Sequence, residues 1–237
     1  MNNILKIVLF VLMTFVLIAG LAFPIVEGQP QHWYQFPVIP GLEEKAKIIF
    51  FHVPTAWLAV IAFFMSMFYG VKYLRSENLD NDVKSFTAMQ LGMVFCVLAT
   101  VTGSIWAKFT WGAFWHWDPR ETSIFILLLI YGSLFALRSA IENEDKKARL
   151  SAVYSIFAFL TVPFFVFIMP RIMEGLHPGS ANDDSSGPVV NFHMDKNMFF
   201  IFILSLIAFT LLYYWMFRLG YKSLLANEKI SKKYITE

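Results

Sequence analysis

Cysteine is nearly missing from this 237-residue chain. The single one, Cys96, lies inside an apolar run, which excludes a disulfide framework, a paired-cysteine metal site and a CxxCH attachment motif. It reads as a small buried hydrophobe. Charge is also scarce: Asp, Glu, Lys and Arg make up 15% of the residues, the net charge is +2, and no dense basic patch occurs, so a nucleic-acid-binding surface is not expected. There is no internal repeat and no strand-like alternation of the kind a β-barrel needs. Apart from Pro163, the middles of the apolar runs lack the ionisable residues and breaks of a substrate permease.

What is abundant is apolar surface. With 57% hydrophobic residues, 18% aromatic residues and a mean hydropathy of +0.58, the chain is too apolar for an ordinary soluble domain. Six runs reach the roughly 20 residues that span a bilayer as a helix: Ile4 to Ile25, Ile48 to Tyr73, Ser85 to Trp106, Thr122 to Ile141, Leu150 to Met169 and Asn197 to Phe217. In lipid each run must satisfy its own backbone hydrogen bonds, so each is expected to be helical. Pro54 falls in the first turn of the second helix, where a missing N–H costs little. Pro163 falls deep in the fifth and predicts a kink. The first run resembles a signal peptide, but it is long enough to span and no A-x-A-like site precedes Glu27, so cleavage is not expected. The expected fold is an all-α integral membrane protein, residues 1–237 forming one six-helix membrane domain.

Lysine and arginine collect in the connections Lys72 to Lys84 and Arg138 to Arg149 and in the tail through Arg218, Lys222, Lys229, Lys232 and Lys233. The positive-inside rule assigns these to the cytoplasm, with both termini. The outward connections are then Glu27 to Lys47, a tryptophan-rich loop at 107–121 and a loop at 170–196, whose segment GSANDDSSGP is flexible by composition. By this parity His52, the tryptophan-rich loop and His177 all arrive at one membrane face.

The stretch WGAFWHWDPRET, Trp111 to Thr122, is the chemical oddity of the chain. Interfacial enrichment of Trp accounts for Trp33, Trp57, Trp106 and Trp215; this cluster is more organised than a belt requires. Asp118, Pro119 and Glu121 fit N-cap, N1 and N3 of the fourth helix, and Asp118 is expected to orient the aromatic loop as well. His52 precedes Val53-Pro54 and His177 precedes Pro178-Gly179, constrained backbones that hold an imidazole in a set direction. His32, His116 and His193 read as interfacial residues. Two imidazoles and a sheet of indoles at one surface suit a flat metallated macrocycle: indoles hold the ring and two histidines approach the iron. Haem propionates would call for cations at the wet rim, for which Lys47 and Arg120 are the leading candidates, with Lys108 and Arg171 behind them.

WGAFWHWDPRETS resembles the "WWD" signature of the haem-handling membrane proteins of cytochrome c maturation, and the six-helix layout resembles their CcmC branch over nearly the whole chain. In that branch the haem-ligating histidines lie in an H-V-P stretch opening helix 2 and an L-H-x-G-S stretch after helix 5, matching His52 and His177. The basic residue five before the first histidine and the arginine of W-D-x-R match Lys47 and Arg120. The resemblance implies non-covalent haem b held by His52 and His177, flanked by Trp111, Trp115, Trp117 and Phe114, with Asp118 fixing the loop. It implies a multi-pass protein of the bacterial cytoplasmic (inner) membrane whose haem site faces the periplasm and which presents haem for covalent loading of a CcmE-like chaperone. A small CcmD-like subunit, a CcmAB-like ABC transporter and the surrounding lipid are the implied partners. The chain departs from the family at His116, usually apolar, and at Phe114, usually tryptophan.

W-D-P-R-E-T also leans toward the related CcsA branch, which transports haem and attaches it to apocytochrome, although such chains carry more helices. A quinol-linked cytochrome subunit normally places its histidines within the helices, and none lie there in this chain. No acid, base or nucleophile set argues independently for an enzyme.

Overall fold

The computed structural model describes residues 2–182 and 194–235. His193 and most of the polar segment 179–188 lie outside them. Six helical spans are long and apolar enough to cross a membrane, in the order expected. They are α1 (Asn3–Ala22), α2 (His52–Ser76), α3 (Leu79–Trp111), α4 (Pro119–Ala140), α5 (Glu144–Pro163) with its continuation, and α7 (Lys196–Ile235). The chain is a multi-pass, all-α membrane protein.

The helix starts follow from short polar side chains that accept orphan N–H groups. Asn2 accepts from the Leu5 N–H at 3.0 Å, Asn78 from Asp80 at 2.9 Å and Asn143 from Lys146 at 2.9 Å. The expected start of α4 is present in full: Asp118 caps, Pro119 follows, and the Glu121 side chain returns to the backbone N–H of Asp118 at 3.3 Å. Beyond Pro163 the chain forms a π-helical turn, Phe164–Ile168, and then one short α-turn, α6 (Met169–Ile172). The kink expected at Pro163 is thus a wider turn, as a proline without an N–H and with a clashing ring dictates.

Between α1 and α2 the chain forms a two-residue parallel ladder, β1 (Ile25–Val26) against β2 (Phe36–Pro37), and a 3-10 helix, Glu43–Phe50. Phe36 and Phe50 are fully buried there with Ala19 of α1 and Ile201 of α7. The main core joins α2, α3, α4, α5 and α7 through Leu58, Phe63, Met89, Phe95, Leu127, Tyr131, Val162 and Tyr213. Phe63 stacks on Tyr131 with centroids 3.6 Å apart. A Cβ at Gly92 would come within 2.5 Å of the Phe63 ring, the close approach that small residues allow between membrane helices.

Candidate functional site

The start of α2, the end of α3, the start of α4 and the segment after α6 meet at one end of the bundle. His52, the first residue of α2, lies against α3: its Nδ1 is 3.0 Å from Thr102 Oγ1, and a Cβ on Gly103 would fall 2.9 Å from its Cε1. Only glycine leaves room for the ring there. His177 comes from the loop after α6, and its Nδ1 is 2.7 Å from Asp118 Oδ1.

Asp118 does more than cap a helix. Its Oδ1 also accepts from the Arg120 N–H at 2.9 Å, and its Oδ2 accepts from the Leu176 N–H at 2.6 Å. The carboxylate is buried. Burial alone would raise its pKa, but the hydrogen bond and charge of His177, together with the N–H groups of Arg120 and Leu176, outweigh that and hold it down to about 2. It is therefore an acceptor and never a donor at ordinary pH. Behind the histidine, Ser180 Oγ donates to the His177 carbonyl at 2.8 Å and Gly175 N–H to Asn182 Oδ1 at 2.9 Å, so the loop is pinned on both sides of the ring. Gly175 has no room for a side chain, since a Cβ there would lie 2.6 Å from Asp118 Oδ2.

The tryptophans divide into two groups. Trp111 packs edge-on to His177 with centroids 4.7 Å apart, and Trp106 lies 4.9 Å from Trp111 and 6.1 Å from His177. The Trp106 indole donates to the Lys45 carbonyl at 3.0 Å, tying the 3-10 helix to the site. Composition left Trp106 to the interfacial belt, and only the tertiary contacts reveal it beside His177. Trp115 and Trp117 instead form a separate edge-to-face cluster with Phe125. Trp117, at 67%, and Phe114, at 57%, are largely exposed, and Trp117 holds a left-handed backbone (φ 58°) that turns the loop toward its cap.

The two expected cations differ as well. Arg120 Nη2 donates to the Pro178 carbonyl at 3.3 Å, while its buried Nε has no partner among the described residues. Lys47 is engaged elsewhere: its Nζ sits 2.6 Å from Glu44 Oε2 and 3.4 Å from the Leu21 carbonyl. The His116 ring lies edge-on to Trp111 at 5.8 Å, and the His116 backbone N–H donates to Glu121 Oε2 at 2.7 Å. Four of the six buried side-chain polar atoms without a partner among the described residues belong to Thr110, His116, Arg120 and Glu121. Buried polar groups are normally satisfied, so this end of the molecule carries a concentration of open hydrogen-bonding capacity. With both Nδ1 atoms engaged, Nε2 is the nitrogen that each imidazole could offer a metal. Two such nitrogens, indole walls and an uncommitted guanidinium N–H fit a haem with its propionates.

The chain matches a family described as CcmC, heme exporter protein C, over residues 2–236. Heme exporter protein C of Bradyrhizobium diazoefficiens is 32% identical over 167 residues, covering 70% of this chain and 62% of that protein. The protein of the same name from Rhodobacter capsulatus is 33% identical over 167 residues, covering 69% of this chain and 67% of its own length. Cytochrome c biogenesis protein CcsA of Spinacia oleracea is 30% identical over 110 residues, 46% of this chain but only 33% of that protein. The matched region spans about three-fifths of the Bradyrhizobium relative's length.

Proposed function

The chain belongs to the heme exporter protein C family, and from that premise we propose that it binds haem and presents it for cytochrome c biogenesis. Haem b is held non-covalently between His52 and His177, at the outer face of the cytoplasmic membrane. Trp111 and Trp106 flank the ring on the His177 side, and Arg120 meets a propionate. The observation that carries this reading is the pair of imidazoles brought from distant elements to one end of the bundle, each with Nδ1 engaged and Nε2 left for iron.

The chemical contribution of the protein is orientation. The fixed histidines set the plane of the ring, and the outer cluster of Trp115, Trp117 and Phe125, with Phe114 beside it, offers an exposed aromatic surface at which a haem-accepting partner can dock. A periplasmic chaperone of the CcmE kind receives the haem edge there. A small CcmD-like subunit and a CcmAB-like transporter complete the assembly. Lys47, committed to Glu44 and the Leu21 carbonyl, supports the wall between α1 and the 3-10 helix, and in this reading it reaches a propionate only by giving up those contacts.

The test is spectroscopic. Purified protein is expected to show the Soret and α/β bands of bis-histidine haem, and His52→Ala/His177→Ala protein to lose them. An unchanged haem spectrum in that double variant overturns the assignment.

A further inference from the structure

The two histidines are held by chemically different partners, and one hydroxyl decides what that difference means. Thr102 Oγ1 lies 2.8 Å from the Leu98 carbonyl and 3.2 Å from the Ala99 carbonyl, both acceptors only. Its single proton is therefore committed to its own helix, the back-bonding habit of threonine in membrane helices. Toward His52 Nδ1, at 3.0 Å, the hydroxyl is then an acceptor, and Nδ1 carries the proton. His177 Nδ1 likewise donates, but to a buried carboxylate. One imidazole leans on neutral oxygens, the Thr102 hydroxyl and the Ala99 carbonyl beside it. The other leans on a full negative charge at 2.7 Å.

The group that accepts from the other ring N–H tunes the donor strength of a ligating imidazole, and a carboxylate raises its basicity much more than a hydroxyl does. Resting on the bis-histidine reading above, we propose that the two axial bonds are unequal by design. His177 is the strong ligand that retains the haem, His52 is the weak ligand that lets go when haem is handed over, and Thr102 is the positioning residue that sets His52 at that lower strength. The exchange is balanced without redox change: the Fe–Nε2 bond to His52 breaks, its electron pair returns to Nε2, and a donor atom of the acceptor supplies the pair for the bond that replaces it. The surroundings agree with this order of events. The loop carrying His177 is tied to Asp118 through both its Leu176 N–H and its ring, so this side of the haem moves only with the start of α4. The His52 ring leans only on uncharged groups on the face of α3, so less holds it when the iron is released.

The experiment compares ligands one at a time. In ferrous His52→Gly protein the iron is held by His177 alone, and its Fe–histidine stretch in resonance Raman spectra is expected at the higher frequency typical of a carboxylate-bonded imidazole. In His177→Gly protein the stretch from His52 is expected lower, and lower again when Thr102→Val is added, whereas Thr102→Ser preserves it. With both histidines present, carbon monoxide can bind ferrous haem only after one axial bond opens. Thr102→Val is expected to speed that binding about tenfold, in the range seen when the hydrogen-bond partner of a metal-ligating histidine is removed, and Thr102→Ser to leave it near the parent rate. Equal or reversed stretching frequencies, or a carbon monoxide rate indifferent to Thr102→Val, overturn the proposal while leaving bis-histidine binding intact. Absence of bis-histidine bands in the parent protein overturns the haem-ligation reading itself.

Discussion

Each end of the bundle buries an aspartate, and the two are treated in opposite ways. At the end formed by the starts of α3 and α5 and the end of α4, Asp82 is gripped by Arg138 through two hydrogen bonds of 2.7 and 2.9 Å, with the guanidinium lying over Phe86 at 4.3 Å. That pair is closed: charge meets charge in the bidentate geometry that suits arginine. At the other end Asp118 meets only N–H groups, and the residues around it, His116, Arg120 and Glu121, each keep an unpartnered buried atom among the described residues. A closed ion pair fixes helices against each other. An open set leaves hydrogen-bonding capacity for something that arrives later.

The sharpest way to break this contrast is to remove the closed pair. Arg138→Ala leaves a buried carboxylate uncompensated and is expected to destabilise the protein by about 3–5 kcal/mol, read as a lowered thermal transition in detergent. Haem bands per folded molecule should not change; if they do, the two ends are not independent. The next effect is at the open end: Asp118→Ala is expected to weaken haem binding about 10–100-fold, measured by haem titration, with a smaller loss of thermal stability from the missing cap.

Acid sharpens the comparison further. The Asp118 carboxyl is depressed in the folded state, from an ordinary 3.8 to about 2. Its contribution to loop order is therefore complete above the ordinary value and is lost as pH falls from about 4 toward 2. Fluorescence of the indoles beside His177 should report that transition, and Asp118→Asn should not show it. The smallest effect expected is from Trp117→Ala, since that ring stands away from the histidines with Phe125: the haem spectrum should hold, while Trp111→Ala, at 4.7 Å from His177, should shift it.

The six spans were legible because a bilayer demands a run of fixed length and no local rule competes with it. Their ends were less so: α3 continues past Trp106 to Trp111, and α7 past Phe217 to Ile235, because a helix leaving lipid can stay helical on polar residues that a hydropathy count discards. The start of α4 was fully readable, its cap being a local pattern of Asp118, Pro119 and Glu121. The site was readable only where chemistry is concentrated in sequence. Trp106 and Thr102 carry no local signal; their importance comes from contacts with His177 and His52, 71 and 50 positions away. Lys47 is the complementary case: its spacing of five residues before a histidine is visible in sequence, but its contacts with Glu44 and with the Leu21 carbonyl of α1 come from the 3-10 helix and carry no local signal.

The π-helical turn after Pro163 has a geometric consequence for everything downstream. A π turn takes up one residue more than an α turn, and one residue of helix is a rotation of about 100°. Downstream of it, Met169 Sδ accepts from Ser123 Oγ at 3.2 Å, and the Leu176 N–H and the His177 ring reach Asp118. Phe164–Ile168 therefore acts as an angular shim, a single inserted position that turns the exit of the fifth span from the lipid toward the start of α4.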